Sequence, residues 1–303
     1  MKFLASLYRS PQTRTGLILL TFVVLVALAA PLLAPFSPVN VDPSARLLPP
    51  LSRVAAPDTQ PETQPGAAAP GAPAAHAKTA LHLLGTDSVG RDVLSRLIYG
   101  SRLSLTVGFL AVLISAVFGS LVGCLSGYWG GWVEASSAWL IDVQLSFPFL
   151  LLAIFLLGAL GGGTLAVVLV LALGTWVNYA RIVRAQVLSI KNQGYVEAAH
   201  ATGTGTLRIL FVHILPNTLS PICVVGSFSM ALAILTEAGL SFLGVGLDPS
   251  TPSWGTMLND GRDYLLTAWW IATMPGIAIG VTVLGVTLFG EGLRELLDPR
   301  GLR

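Results

Sequence analysis

Nineteen consecutive residues, Gly16 to Ala34, carry no charge. As a helix they rise about 30 Å, the hydrocarbon thickness of a bilayer. Comparable apolar runs follow at about Leu103–Tyr128, Asp142–Leu160, Thr164–Val183, Thr218–Leu243 and Ala268–Phe289. Backbone in lipid has to satisfy its own polar groups, so each run is expected to be a transmembrane helix. The predicted fold class is all-α, a polytopic membrane protein with six transmembrane helices. Composition agrees: 53% of residues are hydrophobic and only 11% charged, against about 25% charged in soluble domains. A net charge of +2 with scattered Lys and Arg gives no nucleic-acid footprint.

The chain divides into three parts. Residues 1–35 hold a basic start (Lys2, Arg9, Arg14, no acid) and the first span; the same pattern also fits a signal peptide, which leaves the later topology unchanged. Residues 36–84 are rich in Pro, Ala, Gly and Gln and read as a flexible extracytoplasmic linker with too little apolar content to fold. Residues 85–303 hold five further spans. At their start, Thr86 or Asp87 is expected to cap a short interfacial helix, with Val89, Val93, Leu94 and Leu97 on one face and Arg91, Asp92, Ser95 and Arg96 on the other. Gly119, Gly123 and Gly127, four residues apart, lay bare one face of span two for close helix packing. Pro148 is expected to kink span three.

Six spans that start inside end inside. Ten basic residues then fall on the inner side (Lys2, Arg9, Arg14, Arg181, Arg184, Lys191, Arg208, Arg294, Arg300, Arg303), and Arg262 alone lies in the short outer loops. That bias follows the positive-inside rule. The segment Tyr195–Pro221, YVEAAHATGTGTLRILFVHILPNTLSP, is a polar island within this pattern, placed inside between spans four and five. It reads as helix–turn–helix: Gly203 and Gly205 break it, and an apolar run from Leu207 ends at Pro216.

Little in the chain suggests catalysis. His76, His82, His200 and His213 are dispersed, no paired carboxylates share a helix face, and no closely spaced ligands suggest a metal. Ala77-Lys78-Thr79 looks like a phosphate loop, but Ala72 and Ala77 stand where glycines are needed. Cys124 and Cys223 lie in apolar spans and read as small buried hydrophobes. Glu237 is a nearly solitary acid in span five, expected as a satisfied carboxylate toward the outer end and only a weak functional candidate. An ion-coupled carrier needs several embedded acids and usually a repeat. That leaves a channel, a carrier, or the membrane half of a machine powered elsewhere.

The motif YVEAAHATG followed by HILPN resembles the EAA loop of ATP-binding-cassette importer permeases, at Glu197, Ala198, Ala199, Gly203, Leu215 and Pro216. GTDSVGRDVLSRLIYGSRLSL, SFLGVGLDPSTPSWGTMLNDGRDYL and GEGLRELLDPR resemble the second, "C"-type permease subunit of dipeptide and oligopeptide importers. The resemblance implies a type I permease fold and a non-enzymatic subunit, with residues 190–217 as its cytoplasmic ATPase-coupling loop. It also implies a bacterial inner membrane with both termini cytoplasmic. The implied partners are a second homologous permease, two ATPases that carry the ATP and Mg, an extracytoplasmic binding protein and a peptide cargo. No cofactor is expected on this chain. Nickel-chelate, glutathione and glycan permeases share the pattern, and the rival from another class is a carrier or channel working without ATPases.

Overall fold

Each long apolar run becomes helix because a lipid-facing backbone has no other partner for its N–H and C=O groups. The structure, a computed structural model, describes residues 11–55 and 79–297. Helix α1 spans Pro11–Leu28 and is followed by a one-turn extension, Ala30–Leu33. Then come α2 (Val93–Trp129), α3 (Gly131–Leu145), α4 (Phe149–Leu160), α5 (Thr164–Ile190), α6 (Gly194–Ala201), α7 (Leu215–Phe242), α8 (Trp254–Gly261) and α9 (Trp270–Leu297). Among the described residues, α1, α2, α5, α7 with the turns before it, and α9 are each long and apolar enough to cross a membrane. The bent pair α3–α4 makes a sixth crossing if taken as one span.

The helices run up and down between two ends. One end carries Thr13, Tyr128, Lys191 and Gly292; the other carries Asp87, Gly163, Gly246 and Asp260. The glycine stripe of α2 lies on α5. A Cβ on Gly123 would strike the Ala180 carbonyl, and one on Gly127 would come within 2.9 Å of Val187 Cβ. Bare backbone there lets α2 and α5 approach closely. On the other side α1 packs on α9, where Gly16 leaves room for the Phe289 backbone and Gly292 for Thr13.

Three expectations need correction. No separate interfacial helix precedes span two: α2 is continuous from Val93, capped by Asp92, whose carboxylate accepts from Ser95 N at 2.7 Å. Its polar face turns inward. Asp87 accepts from Arg91 Nε at 2.6 Å and from Arg96 Nη1 at 2.7 Å, and Asp260 of α8 accepts from Arg91 Nη2 at 2.8 Å. Arg96 is 1% exposed, which is possible because two carboxylates flank two guanidinium groups. Burial raises the Asp260 carboxyl above its ordinary range, against the pull of Arg96 and Arg91.

Span three is broken rather than kinked. α3 starts at Gly131, inside the expected loop Tyr128–Ile141, and meets α4 at 88° across Ser146–Pro148. Pro148 lacks the N–H that would continue α3. Gln144 instead satisfies the break through α5, accepting from Trp176 Nε1 at 2.6 Å and donating to the Leu173 carbonyl at 2.5 Å.

The linker is ordered at both flanks. Strand β1 (Ser52–Ala55) pairs antiparallel with β2 (Thr79–His82), with Ser52 opposite His82. His82 Nδ1 lies 2.8 Å from Asp92, and its ring stacks on Phe36 at 4.7 Å. Non-local partners on α2, invisible to composition, tie these flanks down. The linker centre, residues 56–78, lies outside the described residues, as do Lys2, Arg9, Arg300 and Arg303.

Candidate functional site

The polar island sits at the Tyr128–Lys191 end. Helix α6 is short because Gln193 opens it with backbone bonds only and Gly203 closes it. Gly203 has φ +77°, its N–H donates to the His200 carbonyl at 3.0 Å, and Thr204 N–H donates to the Ala199 carbonyl at 3.0 Å. These two bonds around a left-handed glycine form a Schellman cap. Gly205, by contrast, has ordinary backbone geometry at φ −65° and starts the next turn.

One side chain anchors α6. Val196 is fully buried, packed with Cys124 of α2, Val183 and Val187 of α5, and Ile209, Leu210 and Ile214 ahead of α7. Ala199 is half-buried against the same cluster, while Tyr195, Glu197, Ala198 and Thr202 are exposed. Ala198 and Thr202 keep part of this outward face low, which leaves room for a close neighbour. Polar contacts brace both ends: Tyr128 OH lies 3.1 Å from His200 Nε2, and Asn217 Nδ2 donates to Tyr195 OH at 3.3 Å and to the His213 carbonyl at 2.7 Å. Lys191 Nζ donates to the Gly127 carbonyl at 3.1 Å. A displacement of α6 therefore meets α2, α5 and α7 together.

The structure brings Glu197, Ala198, Ala199 and Gly203 onto one helix and its cap, and places Leu215 and Pro216 at the start of α7. Pro216 does not end a helix there. The six residues Ile209–Ile214 form a π-helical turn, and Leu215 N–H reaches back to the Leu210 carbonyl. That wider turn removes the demand for an N–H at Pro216, which occupies the first turn of α7, where proline is tolerated. Of the cysteines, Cys124 is buried as expected, whereas Cys223 is exposed on α7.

Sequence reasoning missed Val196, Tyr128, His200 and Asn217. Tyr128 and His200 stand 72 positions apart, and no local pattern joins them. Glu237 matches its expectation of a satisfied group: it is fully buried and accepts from Ser104 at 3.1 Å and Ser241 at 2.9 Å. Among the described residues, no three His, Cys, Asp or Glu side chains gather to hold a metal.

Residues 115–302 match the family model of the binding-protein-dependent transport system inner membrane component, and residues 2–50 match that of the N-terminal TM domain of oligopeptide transport permease C. The chain is 40% identical over 285 residues to a dipeptide transport system permease protein of Haemophilus influenzae, covering 94% of this chain and 89% of that one. It is 45% identical over 218 residues to a di/tripeptide transport system permease protein of Pseudomonas aeruginosa, 72% of each. A glutathione transport system permease protein of Pectobacterium atrosepticum is 42% identical over 219 residues, 72% of this chain and 73% of that one. The fold is similar to that of a solved inward-facing MetNI methionine ABC transporter, with a TM-score of 0.54 at 18% identity over 67% of this chain and 96% of that one.

Proposed function

This chain belongs to the family of binding-protein-dependent transport system inner membrane components, the permeases of ABC importers, and on that premise we propose that it carries peptides of a few residues. Its partners in this reading are a second, homologous permease, two cytoplasmic ATPases that hold the ATP and Mg, and an extracytoplasmic binding protein. The membrane is the bacterial inner membrane. The end with α6 faces the cytoplasm and the end with α8 faces outward, an orientation supported by the basic residues gathered near α6, Arg181, Arg184, Lys191 and Arg208.

One observation carries the coupling role: α6 exposes Glu197 and Ala198 while Val196 is locked into the junction of three spans. An ATPase groove closing on the exposed face moves α2, α5 and α7 as a unit. The chain performs no hydrolysis; it contributes a two-state element. Driving such an element from 1:99 to 99:1 takes about 5.5 kcal/mol of differential binding, which the ATP-bound dimer supplies.

The test is reconstitution in vesicles. The full complex is expected to take up dipeptide only with ATP, and a cysteine at Ala198 to cross-link to an ATPase subunit. Peptide flux through this chain alone, driven by a gradient, would overturn the reading.

A further inference from the structure

Spans that face lipid present apolar side chains, and most outward positions of α5 and α7 do, among them Leu165, Leu169 and Leu235. An exception sits where the two helices form a groove, with Asn178 and Arg181 of α5 across from Val225, Phe228, Ser229 and Leu232 of α7. Asn178 is exposed about 21 Å along α5 from Thr164, a depth that falls within the roughly 30 Å of hydrocarbon. An amide turned to lipid there is costly.

Arg181, nearly one turn further, is exposed as well. Arg184, the next basic residue, is held by Glu134. Arg181 shares a small cavity with Asp142 of α3, yet among the described residues no carboxylate lies within ion-pair distance of it. A guanidinium and an amide thus stand unpartnered on one wall, facing a surface that is apolar apart from the Ser229 hydroxyl.

We propose that this groove lines the translocation path and recognises a short peptide by its free C-terminal carboxylate. The proposal rests on the peptide-importer reading above. Arg181 takes the carboxylate, Asn178 bonds the last peptide unit, and Val225, Phe228 and Leu232 accept side chains without polar demands. Every linear peptide with a free terminus offers that carboxylate and that backbone whatever its side chains, and a guanidinium matches a carboxylate with paired, charge-assisted bonds. The arrangement therefore selects peptides as a class while discriminating little among their side chains.

The experiment compares a free-acid dipeptide with its C-terminal amide in the complete reconstituted importer. Because the same binding protein serves every variant, its own preference cancels when variants are compared with wild type. In Arg181→Gln the preference in kcat/KM for free acid over amide is expected to fall roughly 10-fold or more, the factor carried by a charge-assisted hydrogen bond. Arg181→Lys is expected to keep part of it. An unchanged preference in Arg181→Gln overturns the proposal.

A second variant keeps Arg181 native. With Cys124 and Cys223 replaced by serine, Asn178→Cys is expected to react with a charged, water-borne thiol reagent during ATP turnover and to be protected by dipeptide. A cysteine that never reacts faces lipid, a lipid headgroup or the partner permease, and that too overturns the proposal. If the wild-type importer takes up no peptide at all, the cargo reading fails instead, while labelling at position 178 still reports whether the groove meets water.

Discussion

Substitution of Gly203 separates backbone geometry from surface contact. Its φ of +77° is a conformation that costs an L-residue about 1–2 kcal/mol. A Cβ added there would meet nothing within 4 Å, so that strain is the whole intramolecular cost. Gly203→Ala is therefore expected to weaken the two cap bonds from Gly203 and Thr204 and to speed exchange of those amides roughly 5- to 30-fold. Gly203→Asn should cost less, because asparagine visits this conformation more readily. Gly205→Ala, at φ −65° with equally open space, should change exchange little. Gly203→Trp carries the same backbone strain as alanine and adds bulk to the outward surface. If that surface docks an ATPase, ATP-driven uptake falls far more in Gly203→Trp than in Gly203→Ala, while their exchange rates match. Hydrogen exchange by mass spectrometry on the purified complex and uptake in vesicles measure the two effects. Equal exchange in Gly203→Ala and Gly205→Ala would refute the cap argument, and equal uptake in the alanine and tryptophan variants would refute the docking surface.

Val196→Ala empties part of the cluster beneath α6 and should cost about 2 kcal/mol, seen as a lower melting temperature and as ATP hydrolysis uncoupled from uptake. Gly123→Val forces α2 off the Ala180 carbonyl, and the expected result is a detergent-extracted protein that fails to run as a single species on gel filtration. Asp260→Ala leaves Arg91 and Arg96 with one carboxylate between them and should destabilise the end that carries α8 by about 3 kcal/mol, detected as a lower thermal midpoint. Glu237→Gln keeps one acceptor oxygen for one of the Ser104 and Ser241 hydroxyls and offers an NH2 donor to the oxygen of the other, so it should melt above Glu237→Ala, which strands both.

Local pattern was enough to read the spans, their alternation, the glycine stripe and the short helix with its glycine turn at Tyr195–Gly203. A lipid-length apolar run has one low-energy conformation whatever its neighbours do, and glycines four apart mark a face that only a close helix can cover. Gly203 was legible for the same reason, since a cap after a short helix is a local event. The broken span at Ser146–Pro148 was half legible: Pro148 announced a break, but its 88° angle depends on Gln144 finding Trp176 and Leu173 on another helix.

What the sequence could not decide was where the polar residues point. Arg91, Asp92, Ser95 and Arg96 have the spacing of a solvated helix face, and only tertiary contacts, with Asp260 for the arginines, His82 for Asp92 and Phe36 N–H for Ser95, turned them inward. Pro216 looked like a stop until a π-helical turn upstream relieved it. The sequence by itself determined that the chain crosses a membrane and that a short helix closed by a glycine turn interrupts its apolar spans, because both depend on residues near one another in the chain. Only the tertiary structure decided that Val196 is the pivot of α6, and that Asn178 and Arg181 share a groove with α7. Those facts depend on which helix lies alongside, and long-range packing sets that.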